Sequence, residues 1–325
     1  MIGLKKWWLA VAVLLLLTSC SSQDAGGPFP SKNIELVAPA SPGGGWDTTA
    51  RAMQKVFDDE GIVKKPIQVI NKPGGGGEVG WKYLESRDGH SLAINSSLLI
   101  TNNLLGQSDL SYQNFTPIAI LATEWEAVVV PKGSEINSAK ELMTKLKKDP
   151  KSLKIGVAPG LGNDDHLSFV QAAKTFGVNV PKLDFLVYKS GGDVATVLLG
   201  NHIDAATMSV SEAKEQYKAG RVKILAVSSP KRLKGLEKVP TWKEEGVDMV
   251  FPHWRGVMGP PNMSEEEIAY WDQRIGQMVK TEAWKEILKN NEWEPFYKDS
   301  GESKKFLEEQ YQMYKHLLND SGLTQ

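Results

Sequence analysis

Four stretches of this chain combine glycine with the start of a helix, and their residue types suit the capture of an anion. The first is "APASPGGGWDTTAR", Ala38–Arg51. Ordering a run of glycines is entropically costly, so an ordered run has a geometric reason. Here the run follows an apolar strand and opens a helix. Backbone N–H groups and the positive end of a helix dipole then converge at the strand end. Gly43, Gly44 and Gly45 let a ligand approach the backbone with no Cβ in the way, and Asp47 is the expected N-cap. Trp46 can be a ligand-facing wall or a buried anchor; a purely structural turn is the plainer alternative for the loop.

The second stretch is "NKPGGGGEVG". Its Gly75-x-Gly77-x-x-Gly80 matches a dinucleotide fingerprint as text, but it follows the second strand rather than the first. A loop backing the same cleft, with Gly76 and Gly77 facing the ligand, is the preferred reading. Ser96, at the end of the strand "SLAINSS", joins it. The third stretch, "APGLGNDDHLSF", places Gly162, Asn163, Asp164, Asp165 and His166 at another helix start. Simple capping by Asn or Asp would explain it without a ligand. The fourth, "YKSGGDVATVLLG", supplies Ser190, Gly191 and Gly192.

Catalytic alternatives fare poorly. There is no G-x-S-x-G elbow, H-E-x-x-H pair, G-K-[ST] loop or CxxC pair. The five histidines are spread along the chain with no ligand spacing. The expectation is a binding protein rather than an enzyme, with no catalytic residue, no cofactor and no resident metal.

The elements around these loops alternate. "IELVAPA", "IQVIN", "SLAINSS", "TPIAIL" and "EAVVVP" read as strands, with helical spacing at Ala50, Met53 and Phe57. The order then restarts. "SAKELMTKLKKD" reads as a helix with Ser138 as N-cap and Glu141 completing a capping box. "LKIGVAPG", "LDFLVY", "IDAATMS" and "VKILAVSS" alternate with helices, one of them ending at Gly177. "HWRGVMGPP" is a further extended segment, and the tail is helical, with Leu307, Tyr311, Tyr314 and Leu318 on one face. This order predicts an α/β fold of two lobes joined by two crossover strands, near Ala122–Pro131 and Trp254–Pro260. The lobes are expected at 33–123 plus 254–325 and at 124–253. A cleft between two such lobes is a usual ligand site.

The N-terminus bears on compartment. Lys5 and Lys6 precede an apolar run, Trp7–Leu17, followed by Leu17-Thr18-Ser19-Cys20. That is an export signal, too short for a comfortable membrane span. "LTSC" resembles a bacterial lipobox. The resemblance implies cleavage of residues 1–19, a lipid on Cys20 that anchors the chain to a bilayer, and a tether over 20–32. Cys20 is the sole cysteine, so the mature chain has no free thiol or disulfide. Loss of Lys5 and Lys6 takes the formal charge from −1 to −3. With 41% hydrophobic and 24% charged residues the composition is ordinarily globular. No basic run argues for nucleic acid.

Taken together, "PGGGWDTTAR", "NKPGGGGEVG", "GVAPGLGNDDHL", "YKSGGDVATVLLGNHIDAAT", "ILAVSSPKRL", "VPTWKEEG" and "WRGVMGP" resemble the extracytoplasmic solute receptors of tripartite tricarboxylate transporters, the TctC or Bug family. The likeness runs from about Ile34 to the C-terminal helix. It implies a type II periplasmic-binding-protein-like clamshell that closes on a small carboxylate and delivers it to a membrane permease, as a monomer. The ligand carboxylate would be held by backbone N–H groups and bridging waters rather than by an arginine clamp. By position the role falls to Gly43, Gly44, Gly45 and Asp47, and to Gly162 through His166, with Gly191 and Gly192. Citrate or a related di- or tricarboxylate is the first ligand expected. A sensory protein presenting a carboxylate or amino acid to a signalling partner would need the same clamshell.

One departure stands out. Many relatives carry hydroxyls where this chain has Asp164 and Asp165, and two carboxylates should repel an anionic ligand. Three readings are open: the aspartates cap the helix and point away; a cation accompanies the ligand as a metal–carboxylate complex held by Asp164 or Asp165; or the ligand carries an amine.

Overall fold

The computed structural model describes residues 28–324 apart from Gly44 and Lys189. The export signal, Cys20 and the tether up to residue 27 lie outside the described residues, as does Gly44. Three parallel strands open the fold: β1 (Ile34–Ala38), β2 (Ile67–Asn71) and β3 (Ser91–Asn95), with β1 in the middle. Helices α1 (Gly45–Asp59) and α2 (Glu78–Glu85) make the crossovers. α1 buries Ala50, Met53, Val56 and Phe57, the face that its periodicity predicts. A short helix absent from the sequence reading, α3 (Leu98–Leu104), follows β3.

The strands expected at "TPIAIL" and "EAVVVP" are one, β4 (Thr116–Pro131), of 16 residues and about 50 Å. Every residue from Ile118 to Pro131 is buried, because both faces of the strand are covered. Its first half pairs antiparallel with β9 (Pro252–Gly259) and β10 (Glu294–Lys298). Its second half pairs antiparallel with β7 (Ala205–Ser209) and β8 (Val222–Val227). β5 (Lys154–Val157) and β6 (Asp184–Val187) complete that side in parallel with β7. The path is therefore β2-β1-β3-β9-β4-β7-β5-β6, with β8 and β10 also on β4. The architecture is the mixed α/β clamshell expected, its two halves sharing one long strand.

The return passage differs from expectation. Trp254–Gly259 already belongs to the first half, in register with β3 and β4. Trp254 is fully buried and donates to the Tyr314 hydroxyl at 2.9 Å. The chain crosses back just before β9. There Ser228 Oγ accepts from the Glu126 amide at 2.9 Å and donates to the Phe251 carbonyl at 2.7 Å, tying the two passages together. β10 was also missed, since "EPFYK" is short and begins with Glu and Pro.

The second half holds α4 (Ala139–Lys148), α5 (Asp164–Phe176), α6 (Gly191–Leu199) and α7 (Val210–Lys218). Ser138 caps α4 as predicted, but Glu141 accepts from the Asn137 amide, so no capping box closes on Ser138. α5 ends in a left-handed Gly177, also as predicted. The tail forms α8 (Glu265–Met278), α9 (Glu282–Asn290) and α10 (Ser300–Ser321). α10 packs on α3 of the first half and α5 of the second, and its Leu307, Tyr314 and Leu318 are buried. Among the described residues no helix is long and apolar enough to cross a membrane.

Candidate functional site

The strand ends of both halves open on a cleft of about 1010 Å³. Residues from all four glycine-bearing stretches line it: Gly43, Gly45 and Trp46; Gly76 and Gly77; Asn163, Asp164 and Asp165; Ser190 and Gly191. Ser96 lines it as well. Asp47, Gly162, His166 and Gly192 do not contribute to its wall, and what they do instead is informative.

Asp47 lies in the first turn of α1, since the helix begins at Gly45 rather than after Asp47. Its buried carboxylate accepts from the Gly43 amide at 2.8 Å, Arg51 Nε at 2.9 Å and Asn71 Nδ2 at 2.7 Å. Burial alone would raise its pKa, but these donors hold it below the ordinary value. Asp47 thus fixes the loop through three intramolecular donors. Trp46 is half-buried. Its ring packs at 5.5 Å on Trp81, its Nε1 donates to Ser96 Oγ at 3.2 Å, and it lines the cleft.

The second loop needs its glycines. Gly74, Gly75, Gly76 and Gly77 all have positive φ, at 130°, 58°, 62° and 105°. A Cβ on Gly77 would lie 2.6 Å from the Trp81 ring, and one on Gly80 would lie 2.8 Å from Pro39 Cβ. The fingerprint-like spacing therefore serves backbone conformation and the packing of α2.

At the third loop the N-cap is Asn163, which accepts from the His166 amide at 3.1 Å. His166 is buried edge-on against Phe185, and its Nδ1 accepts from the Gly162 amide at 3.1 Å. Burial pushes its pKa down to about 4, so it is a neutral core histidine at pH 7. The aspartates do not point away. Asp165 accepts from the Ala158 amide at 3.3 Å, and Asp164 accepts from Ser97 Oγ in the first half. Both residues are nearly buried and both line the cleft.

The cleft floor was not read from sequence. Glu124 of β4, Glu212 of α7, and His253 and Arg255 of β9 line it with Asp164, and Glu126 of β4 lies behind His253. His253 Nε2 is 3.4 Å from Asp164 Oδ2, and its Nδ1 is 2.7 Å from Glu126 Oε1. Arg255 pairs with Glu124 through Nη2. Arg255 and His253 are the only basic side chains lining the cleft among the described residues, against six carboxylates. Sequence reading did not single out Arg255, which is already paired with Glu124. Burial first, then neighbouring Asp164 and Glu124, raises the Glu126 pKa well above the ordinary range. Burial first, then Glu126, does the same to Asp165. Burial also raises that of Glu212. The available signal was charge inside apolar strands: "ATEWEAVVV" and "PHWRGVMG" each carry charge where pattern demands a core residue.

The family model described as the tripartite tricarboxylate transporter family receptor, TctC, matches residues 50–323. A protein of the tcbD–tcbE intergenic region of Pseudomonas sp. strain P51 is 27% identical over 292 residues, 86% of this chain and 84% of that one. A crystal structure of a TctC solute-binding protein from Polaromonas, without ligand, is 28% identical with a TM-score of 0.76, covering 90% of this chain and 99% of that one. A structure of R. palustris Rpa4515 with adipate is 21% identical, again with a TM-score of 0.76, over 90% and 98% of the two chains. The two-lobed clamshell, its glycine-bearing loops and the match over most of its length place this chain in the TctC family of tripartite tricarboxylate transporter receptors.

Proposed function

We propose that this chain is a lipid-anchored extracytoplasmic receptor that captures a small carboxylate in the cleft and delivers it to a tripartite-type membrane permease. No bond of the ligand is made or broken. The observation that carries the reading is the meeting of glycine-bearing loops from both halves in one cleft, at helix starts whose first N–H groups have no intrahelical partner. Gly45 opens α1 beside Arg255, whose Nη2 lies 3.3 Å from where a Cβ would stand. A carboxylate there meets backbone donors, the positive end of α1 and a guanidinium. The adipate complex of a protein with this fold supports the ligand class.

Closure of two halves hinged at β4 and the return passage would shift the population toward a shape that a permease can recognise. The lipid on Cys20 would keep the receptor beside its permease, and Cys20→Ser should move the protein from the membrane fraction to the soluble one.

The test is a thermal-shift screen of residues 21–325 with citrate, isocitrate, tricarballylate, malate, succinate and adipate, each with EDTA and with Mg²⁺ or Ca²⁺. Citrate leads the panel because of the branch of the family that "GGGWD" resembles. A ligand at 100 times its Kd adds about 2.7 kcal/mol, a visible shift. Silence from every carboxylate, in a protein shown to be folded, would remove the ligand class.

A further inference from the structure

The cleft is electrically lopsided. On the first half, the α1 start, the Gly74–Gly77 loop and Ser96 present amides and hydroxyls, and Arg255 stands behind Gly45. Arg255 is 8% exposed, and its Nε has no hydrogen-bond partner. This is an orphan donor at the place where an anion would dock. On the second half the helix starts are already answered by the chain's own carboxylates. Asp164 and Asp165 occupy the first turn of α5, and the Glu212 carboxylate lies so close over Gly191, at the start of α6, that a Cβ there would collide with it. Asp164 is 4% exposed, lines the cleft, and its Oδ1 has no partner. That is an orphan acceptor. An orphan buried acceptor is costly unless a donor arrives.

The geometry points to a zwitterionic ligand: its carboxylate at the α1 start beside Arg255, and a protonated amine on Asp164 with Glu212 behind it. This rests on the receptor reading above and narrows its substrate class from plain carboxylates to amino-carboxylates. An ammonium supplies the donors that Asp164 Oδ1 lacks, and its charge offsets the surplus of carboxylates on that wall. A second carboxylate in the same place would face Asp164, Asp165 and Glu212 across a partly desolvated gap. A divalent cation is the other way to answer the wall. Among the described residues, however, no group of three or more side chains is arranged to hold one.

The experiment uses matched pairs that differ by one amine: succinate and aspartate, glutarate and glutamate, butyrate and 4-aminobutyrate. Affinities are measured by titration calorimetry on residues 21–325, with EDTA and with Mg²⁺. The third pair separates an amine at the chain end from one beside the carboxylate. The expected result is that in at least one pair the amine-bearing member binds tenfold or more tightly than its partner, with EDTA present. Asp164→Asn and, independently, Glu212→Gln should each remove most of that preference while the melting transition stays cooperative. Tighter binding of the plain carboxylate, equal affinities, or a dependence on Mg²⁺ would overturn the inference and leave the carboxylate receptor standing. Binding by no member of any pair, together with a silent thermal-shift panel, would overturn both. A preference for the amine that survives both substitutions would overturn the placement of the ammonium.

Discussion

Both halves of the molecule offer the cleft the same local design, a parallel strand running into a glycine-bearing loop and then a helix, and they use it in opposite ways. In the first half the loop's acidic residue, Asp47, turns inward and is consumed by Gly43, Arg51 and Asn71. The α1 start is left open to solvent and ligand. In the second half the cap is the neutral Asn163, and the acidic residues that follow face the cleft. One helix start stays available to an anion, while the other is answered by the protein's own charge. Identical secondary structure therefore fixes where a site is, and two or three side chains fix its sign.

The largest effect expected in this contrast comes from the floor that joins the halves. Arg255→Ala leaves the buried Glu124 with only Ser211 Oγ at 3.2 Å and His253 Nδ1 at 3.5 Å, which should cost about 3 kcal/mol by chemical denaturation and abolish carboxylate binding. Arg255→Lys keeps the charge and should recover part of the stability without the orphan Nε–H. A loss in binding with no loss in stability would mean that the Glu124 pair is not buried as seen.

Next comes the first-half loop. Gly77→Ala places a Cβ 2.6 Å from the Trp81 ring at a φ of 105°, so about 2–3 kcal/mol of stability should be lost. Gly43→Ala, with open space around it and a φ of 85°, should cost about 1 kcal/mol. Equal costs at the two positions would break the claim that Trp81 sets the loop.

The second half gives a pH signature. Glu126, Asp165 and Glu212 have raised pKa values in the fold and ordinary ones when unfolded. The folded protein therefore keeps protons that the unfolded chain releases above about pH 4. On this account the contribution of these groups to stability without ligand is fully present below about pH 4 and is lost as the pH rises through their raised values. Glu126→Gln should raise the melting temperature at pH 8 and leave it nearly unchanged at pH 4.5. An amine-bearing ligand favours the ionised carboxylates among Glu124, Glu126, Asp164, Asp165 and Glu212, beside His253 and Arg255, so its binding should release protons. A plain dicarboxylate should release none. Calorimetry in two buffers of different ionisation enthalpy separates these cases.

The smallest effect is a control away from the cleft. Ser138→Ala removes the cap that accepts from the Glu141 amide at 3.0 Å and should cost about 1 kcal/mol with no change in affinity.

Much of this was legible before the fold. The glycine stretches, the restarting strand–helix order and the α10 face at Leu307, Tyr314 and Leu318 are all local patterns, and they folded as read. The unseen parts depend on distant partners. Glu124 and Arg255 are far apart in sequence, and each sits in an apolar strand whose pairing no local pattern reveals. The continuity of β4 was hidden by Thr123 and Glu124, polar residues that are buried only because the floor needs them. Asp47, expected as an N-cap, lies two residues inside α1, the scale at which helix ends are hardest to place, whereas Asn163 caps α5 as its residue type allows.

A crystal structure with the tightest ligand from the matched pairs is the most direct test, and its central readout is the ligand's orientation. The account predicts a carboxylate at the α1 start, within hydrogen-bond distance of the Gly45 or Trp46 amide or of Arg255 Nε, with the opposite end toward Asp164. A ligand carboxylate seated on the α5 start, beside Asp164 and Asp165, would contradict it.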